Sequence, residues 1–384
     1  MVYLDYNATA PMLPEAREAM LHCLETAQGN PSSIHSPGRE ARAILDDARE
    51  QMAALLGVKA HEIIFTSGGT EANNAAIFGL ARSQQERGKH LITSAIEHHA
   101  VLHAFEYLRD QEGFDLTLLP VDADGQVAPE KLREALRSDT TLVSVMSANN
   151  ETGVRQDIKK FAEITRDAGA LFHSDMVQSF GKEKVLPTDL GIDALSIAAH
   201  KFGGPKGTGL LWLRAGLPLT NLMVGGAQEN QRRAGTENVA AIAGQTAAAQ
   251  AALATEPAAL ETIQTHQIYL REKLWSGIQE LCPQAVRNGN PALCLANTLN
   301  VSFPNVDGES LLIGLDLEGI CVSSGSACMV GSMQASHVLL AMGVAPELAG
   351  STVRFSLGKA TDEKEIDDTI MALRRVLERC QTQL

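Results

Sequence analysis

The chain has no excess of basic residues, no closely paired cysteines and no long apolar run, and each lack removes a class of function. Lysine and arginine number 32 against 46 aspartates and glutamates, a formal net charge of -14. Affinity for nucleic acid comes largely from cations that displace counterions from phosphates, so no nucleic-acid partner is expected. The six cysteines, Cys23, Cys282, Cys294, Cys321, Cys328 and Cys380, form no Cys-x-x-Cys pair. That spacing argues against both a disulfide framework and a zinc site, so no metal is expected and a reducing compartment fits best. Nowhere do eighteen apolar residues run together, and the opening Met-Val-Tyr-Leu-Asp-Tyr has no basic stretch before an apolar core. A membrane partner is therefore not expected, and a cytoplasmic location is. No repeat recurs at a fixed period, and no tract is of low complexity beyond one alanine-rich helix.

What is present is a large reserve of core-forming residues: 45% of the 384 are hydrophobic and only 20% charged. That is enough for two domains. From about residue 60 to 215, short aliphatic runs alternate with helical patterns: Ile63 to Thr66, Leu91 to Thr93, Leu116 to Pro120, Leu142 to Ser147, Leu171 to His173, Leu195 to Ala198 and Leu210 to Leu213. The succession predicts an α/β fold, a mostly parallel sheet covered by helices, with ligand sites where strand ends meet helix starts. An alanine-rich helix over Val239 to Thr255 and an amphipathic one over Ala258 to Ile278 follow. Beyond them Leu299 to Phe303, Glu309 to Leu317, Thr352 to Phe355 and Asp362 to Arg379 alternate strand and helix over fewer residues, as a smaller α+β domain would.

The candidate chemistry gathers at the strand ends. Lys201 stands where an apolar run meets the glycine-rich turn Phe202-Gly-Gly-Pro-Lys-Gly-Thr-Gly209. Partial desolvation there lowers a lysine's pKa and makes it a better nucleophile towards an aldehyde, pyridoxal phosphate being the obvious one. A surface lysine before a turn fits the same segment. Thr66-Ser-Gly-Gly-Thr-Glu71 follows a strand and opens a helix, so its N–H groups and the Thr70 hydroxyl can face a phosphate, or simply cap the helix. Asp175 ends an apolar strand, where a carboxylate can pair with a protonated pyridine nitrogen or cap the next helix. Gln178, three residues on, has an amide to give the cofactor's ring oxygen. His98 and His99 follow another strand, and an imidazole there can lie over the ring or be structural. Asn150, within Asn149-Asn-Glu-Thr-Gly153, can hold a carboxylate or form a turn. Cys328 ends the run Ser323-Ser-Gly-Ser-Ala-Cys328. A thiol on a polar, mobile loop favours nucleophilic or redox chemistry, whereas Cys321, in an apolar run, is expected to be buried. Arg354 alternates with apolar neighbours on a predicted strand, and an inward guanidinium suits a substrate carboxylate.

Together these segments resemble the cysteine desulfurases, fold-type I pyridoxal phosphate enzymes of the class V aminotransferase family. The likeness runs nearly end to end, through Tyr3-Leu-Asp-Tyr-Asn-Ala-Thr9, Gly29-Asn-Pro-Ser-Ser33, Thr66 to Glu71, Glu97-His98, Asn149 to Gly153, Asp175 to Gln178, His200-Lys201, Arg233-Ala-Gly-Thr-Glu237, Ser323 to Cys328 and Arg354-Phe-Ser-Leu-Gly358. The serine-rich loop is similar to that of the group I enzymes, which serve nitrogenase and general iron-sulfur assembly. The resemblance implies a large cofactor-binding domain over 14–256 and a small domain made of 1–13 and 257–384. It implies Lys201 as the cofactor's anchor, His98 over the ring, Asp175 at the pyridine nitrogen and Gln178 at the ring oxygen. Gly69, Thr70 and His200 would hold the phosphate, joined by Thr236 of a second subunit, hence a homodimer. Asn150 and Arg354 would bind the carboxylate of L-cysteine. Lys201 would take the substrate's Cα proton, and Cys328 would accept the sulfur as a persulfide, leaving alanine and passing sulfur to an acceptor or iron-sulfur scaffold protein. Selenocysteine lyase or an aminotransferase of the same fold is the alternative. Two departures stand out. Ala198 replaces a serine that many relatives use on the phosphate, and Met329-Val330 replaces small polar residues after Cys328.

Overall fold

The structure is a computed structural model that describes residues 1–253, 257–324 and 335–381, so Cys328, Met329 and Val330 lie outside the described residues. Its frame is a seven-stranded sheet in the order Ile63–Thr66, Gly209–Leu213, Ala194–Ala198, Leu171–Asp175, Thr140–Ser144, His90–Ser94, Asp115–Leu119. Gly209–Leu213 runs antiparallel to both neighbours, and the other pairings are parallel. The alternation along these strands explains the fold. Phe65, Ile92, Val143, Phe172 and Trp212 join one buried cluster, while their neighbours Ile64, Leu91, Leu142, Leu171 and Leu211 join another. Successive side chains of a strand point to opposite faces, so runs apolar at every position bury both faces of the sheet.

Helices Gly69–Ser83 and His99–Glu112 cover one face through Ala76, Ile77, Leu80, Phe105 and Leu108. Ser36–Leu56, Ile158–Asp167 and Val239–Leu253 cover the other through Leu45, Met52, Phe161 and Ile242. A smaller antiparallel sheet, Thr352–Ser356, Thr298–Ser302 and Val286–Arg287, packs with helices Pro257–Leu281, Gly308–Leu317 and Glu363–Gln381 around Leu274, Phe303, Leu315, Phe355 and Leu373. Val2 and Leu4 belong to this second core, and Val2–Tyr3 pairs in parallel with Ile320–Cys321. That strand has only two residues, with one short neighbour to cover it, and so Cys321 is half-buried rather than buried. Among the described residues no helix is long and apolar enough to cross a membrane.

The strands of the main sheet that share a direction end along one edge, at Thr66, Ser94, Ser144, Asp175 and Ala198. Gly68 turns the first of them into its helix with φ 152°, a backbone that only glycine adopts readily. The turn also needs bare backbone on its far side, because a Cβ at Gly209 would stand 2.7 Å from the Gly68 carbonyl carbon. The first strand is braced from below by Arg49 and Glu229, which pair bidentately at 2.8 and 2.7 Å. Glu229 also accepts from the Phe65 N–H at 2.9 Å, and Arg49 gives the Ile63 carbonyl a bond of 2.7 Å. Both side chains are buried, so removing one partner strands a charge. Arg49→Met is expected to lower the unfolding free energy by about 3–5 kcal/mol in chemical denaturation, and Arg49→Met with Glu229→Gln to recover part of it.

Candidate active site

Eight of the residues expected from sequence line one cavity of about 230 Å³ at that strand edge. Gly69 and Thr70 come from the first turn of the helix after Ile63–Thr66, His98 from the N-cap of the next helix, and Asn150 from the turn after Thr140–Ser144. Asp175 and Gln178 follow from the end of Leu171–Asp175, with His200 and Lys201 on the short 3₁₀ turn after Ala194–Ala198. Ala198 lines the same cavity. Side chain is excluded at Gly69, where a Cβ would meet Val177 at 2.9 Å and Ala198 at 3.2 Å.

Lys201 donates to the carbonyls of Asn7 at 2.6 Å and Ala8 at 2.9 Å. Burial and the nearby Arg354 guanidinium push its pKa down to about 8, against the pull of Asp175 and Asp5. Asp175 is buried, and burial raises its pKa. Its oxygens accept from the Val177 N–H at 2.9 Å and the Asn73 amide at 2.6 Å, both neutral donors. No cation forms an ion pair with it among the described residues. His98 accepts the Ala100 N–H on Nδ1 at 3.1 Å, and packing around the ring, with help from the charge of Lys201, lowers its pKa against the opposing pull of Asp175. His200 pairs with the Thr9 hydroxyl at 3.2 Å, and burial beside Lys201 and Lys206 pushes it down to about 4, so it is a neutral imidazole at physiological pH.

Arg354 stands behind Asn150, giving that residue's carbonyl a bond of 2.9 Å from Nη1 and Asp5 one of 2.8 Å from Nη2. Its Nε and the Asn150 side-chain oxygen are buried without a partner. Asp5 also accepts from the Ser323 hydroxyl at 2.9 Å. Thr236 is not brought to this cavity. It is exposed in a separate depression with Arg233 and Glu237, and Arg233 pairs there with Glu71 at 2.8 Å. Cys328 falls outside the described residues.

Sequence reasoning missed Asn7, Asn73 and Lys182. Asn73 sits one helical turn after Gly69, so the helix periodicity put it within reach of Asp175 and was not used. Asn7 stood only as a letter in a quoted motif, yet it is wholly buried and touches three segments of the site.

Fold and site together define a known class: the chain belongs to the class V aminotransferase family, whose model matches residues 2–369. More particularly, it is similar to a Dictyoglomus turgidum protein named cysteine desulfurase IscS, 46% identical over 382 residues that cover 99% of this chain and 95% of the relative. A solved NifS-like protein superimposes with a TM-score of 0.92 at 38% identity, covering 98% of this chain and 99% of that one. A structure described as SspA in complex with cysteine has a TM-score of 0.81 at 33% identity, over 93% of this chain and 99% of that one.

Below about pH 8 Lys201 is an ammonium and above it a free amine. In protein stripped of small molecules, labelling of Lys201 by an amine-specific reagent is therefore expected to rise through about pH 8, where an ordinary lysine rises near 10.4. Arg354→Gln removes the neighbouring charge and should move that midpoint upward, as peptide mass spectrometry at a series of pH values will show.

Proposed function

We propose that this protein is a cysteine desulfurase that uses pyridoxal phosphate to take sulfur from L-cysteine and leave alanine. The observation that carries the reading is the meeting of Lys201, with its lowered pKa, and the buried, unpaired Asp175 in one cavity. Relatives 41–46% identical along almost the whole chain are named cysteine desulfurases.

The residues fit the cofactor. A buried carboxylate held only by neutral donors suits a protonated ring nitrogen, and Asp175 is such a group. The first turn of Gly69–Ser83 offers N–H groups and the Thr70 hydroxyl to a phosphate, with His200 and Lys206 on the same side. When bound, pyridoxal phosphate supplies an electron-withdrawing ring that takes up the charge left as a proton leaves the substrate carbon. Lys201 anchors the cofactor and then receives that proton on Nζ, a role its lowered pKa suits. His98 and Gln178, which line the cavity, would hold the cofactor's ring, His98 by covering a face and Gln178 by donating to the ring oxygen. The unpartnered Nε of Arg354 and the side chain of Asn150 take the substrate carboxylate. The Cys328 thiolate attacks the substrate sulfur, forming an S–S bond as the C–S bond breaks, and the persulfide passes to an acceptor or scaffold protein. Thr236, exposed and away from its own chain's cavity, serves the phosphate of a second copy, so the working form is a homodimer. The two buried cores support a division into 14–256 and 1–13 with 257–384, and the composition supports a cytoplasmic location.

Mass spectrometry after brief exposure of the loaded protein to L-cysteine without reductant is expected to find added sulfur on the Cys328 peptide and alanine in solution. Cys328→Ser should lose the added sulfur and keep the cofactor's colour. Persistent alanine formation from selenocysteine alone would move the reading to a selenocysteine lyase, and no alanine from either would sink both. Lys201→Ala should slow turnover roughly 10²–10⁴-fold. Ala198→Ser restores a donor facing the phosphate and should slow cofactor loss on dialysis by roughly tenfold.

A further inference from the structure

Lys182 lies outside the chemistry derived above, yet it supports two of its parts. Its Nζ donates to Asn7 Oδ1 at 2.8 Å and to Gln178 Oε1 at 3.0 Å. With its oxygen held there, Gln178 turns Nε2 to the Asn7 carbonyl at 3.0 Å, the same carbonyl that accepts from Lys201 at 2.6 Å. An amide has two unlike ends, and an ammonium only donates. Were Gln178 reversed, its oxygen would face the Asn7 carbonyl with no proton between them, and its NH₂ would face the lysine amine. Lys182 thus decides which end of the amide stands beside Lys201. The second N–H of that nitrogen is the one left for a ligand in the cavity, which Gln178 lines.

A lysine is a costly residue to hold in this place. Burial, with the positive charges of Lys201 and Arg354, pushes its pKa down to about 7. In either protonation state the amine has N–H groups for both oxygens. Its own backbone is fixed, since the Lys182 carbonyl accepts from Gln264 of helix Pro257–Leu281 at 2.9 Å.

We propose that Lys182 is a positioning residue for the desulfurase reaction, fixing the Gln178 amide with its nitrogen beside Lys201 and steadying the Asn7 carbonyl beneath the Lys201 amine. The inference rests on the cofactor reading of this cavity, and its test separates the two. The visible absorbance of the protein loaded with pyridoxal phosphate is titrated with pH for the wild type, Lys182→Met and Lys182→Arg. Losing a donor that stabilises the deprotonated form raises a pKa, so Lys182→Met should move the midpoint up by about one pH unit. Lys182→Arg, again a pure donor, should stay near the wild type. Where Lys182→Met does not fold, Lys182→Gln takes its place: an amide there accepts as readily as it donates, which frees Gln178 to reverse and should give the same upward shift. In protein without cofactor, amine labelling of Lys201 should move to lower pH in Lys182→Met, because the Asn7 carbonyl that accepts from the protonated Lys201 amine is no longer steadied, Lys182 itself being mostly uncharged where Lys201 titrates. Midpoints that coincide with the wild type in both measurements overturn the proposal. A wild type that takes up no pyridoxal phosphate overturns the function proposed above, and the labelling then decides on Lys182 alone.

Discussion

The burial of Asn7 is the constraint on which the rest of the site depends. Its backbone N–H donates to Ser356, its carbonyl accepts from Gln178 and Lys201, its side-chain oxygen accepts from Lys182 and Asn297, and its amide donates to Thr298 and the Asn150 carbonyl. Each polar group of a fully buried residue is thereby satisfied, and an unmade bond there would cost the full desolvation of that group. The partners come from the main sheet, the smaller sheet and the loop that carries Asn150. One residue from the amino-terminal segment therefore fixes the distance between the lysine and the elements that bear Asn150 and Arg354. Nothing in helix or strand propensity would have placed it there, because the turn at Asn7 to Ala8 exists only once its distant partners are assembled.

The second organising feature is crowded positive charge. Arg354 helps burial lower the pKa of both Lys201 and Lys182, Lys201 adds to the effect on Lys182, and among the described residues Asp5 alone forms an ion pair within this group, with Arg354. Such a cluster is unfavourable in an empty protein and favourable around an anion, and both the phosphate and the carboxylate ascribed to this cavity are anions. Burial, with the same crowding, brings the pKa of the Lys201 amine down to about 8. Recognition of the ligands and activation of the lysine thus come from one distribution of charge.

The strands and their order of function could be read from the chain because the evidence was local. Aliphatic runs predicted the seven strands of the main sheet within a residue or two, save that Leu142 to Ser147 runs three residues past the observed end at Ser144, while the two-residue strands Val2–Tyr3, Val286–Arg287 and Ile320–Cys321 went unread. Asp175, His98 and Lys201 stand at strand ends where parallel α/β sheets gather their ligands. Helices Pro14–Thr26 and Ser36–Leu56 went unread, since their apolar stripes carry many exposed charges and no strand flanks them. Asn7, Lys182 and Asp5 were illegible for another reason. The side-chain partners of Asn7 and Asp5 lie 143 to 349 residues away, as with Asn7 to Asn150 and Asp5 to Arg354, and Lys182, though it also bonds nearby Gln178, meets Asn7 across 175 residues; no pattern in a window of sequence records such pairs. Cys321 was misjudged because an apolar run says nothing about how few neighbours its strand will have.

Those long separations also set an order of events during synthesis. Leu4 and Ser356, 352 residues apart, meet through a hydrogen bond, and Arg354 exchanges backbone bonds with Ser323 beside Asp5. At about 5–20 residues per second, the ribosome needs on the order of twenty to seventy seconds between making the first of these residues and the last. The main sheet, complete by Leu213, can form in the meantime with Lys201 at its edge. The carbonyls beneath the lysine are made first, but Arg354, and Ser356 that accepts from the Asn7 N–H, arrive only with the strand Thr352–Ser356, so the newborn chain carries its amine without its final setting for most of its assembly. A chain interrupted before residue 352 would keep the sheet and never acquire the amine's setting.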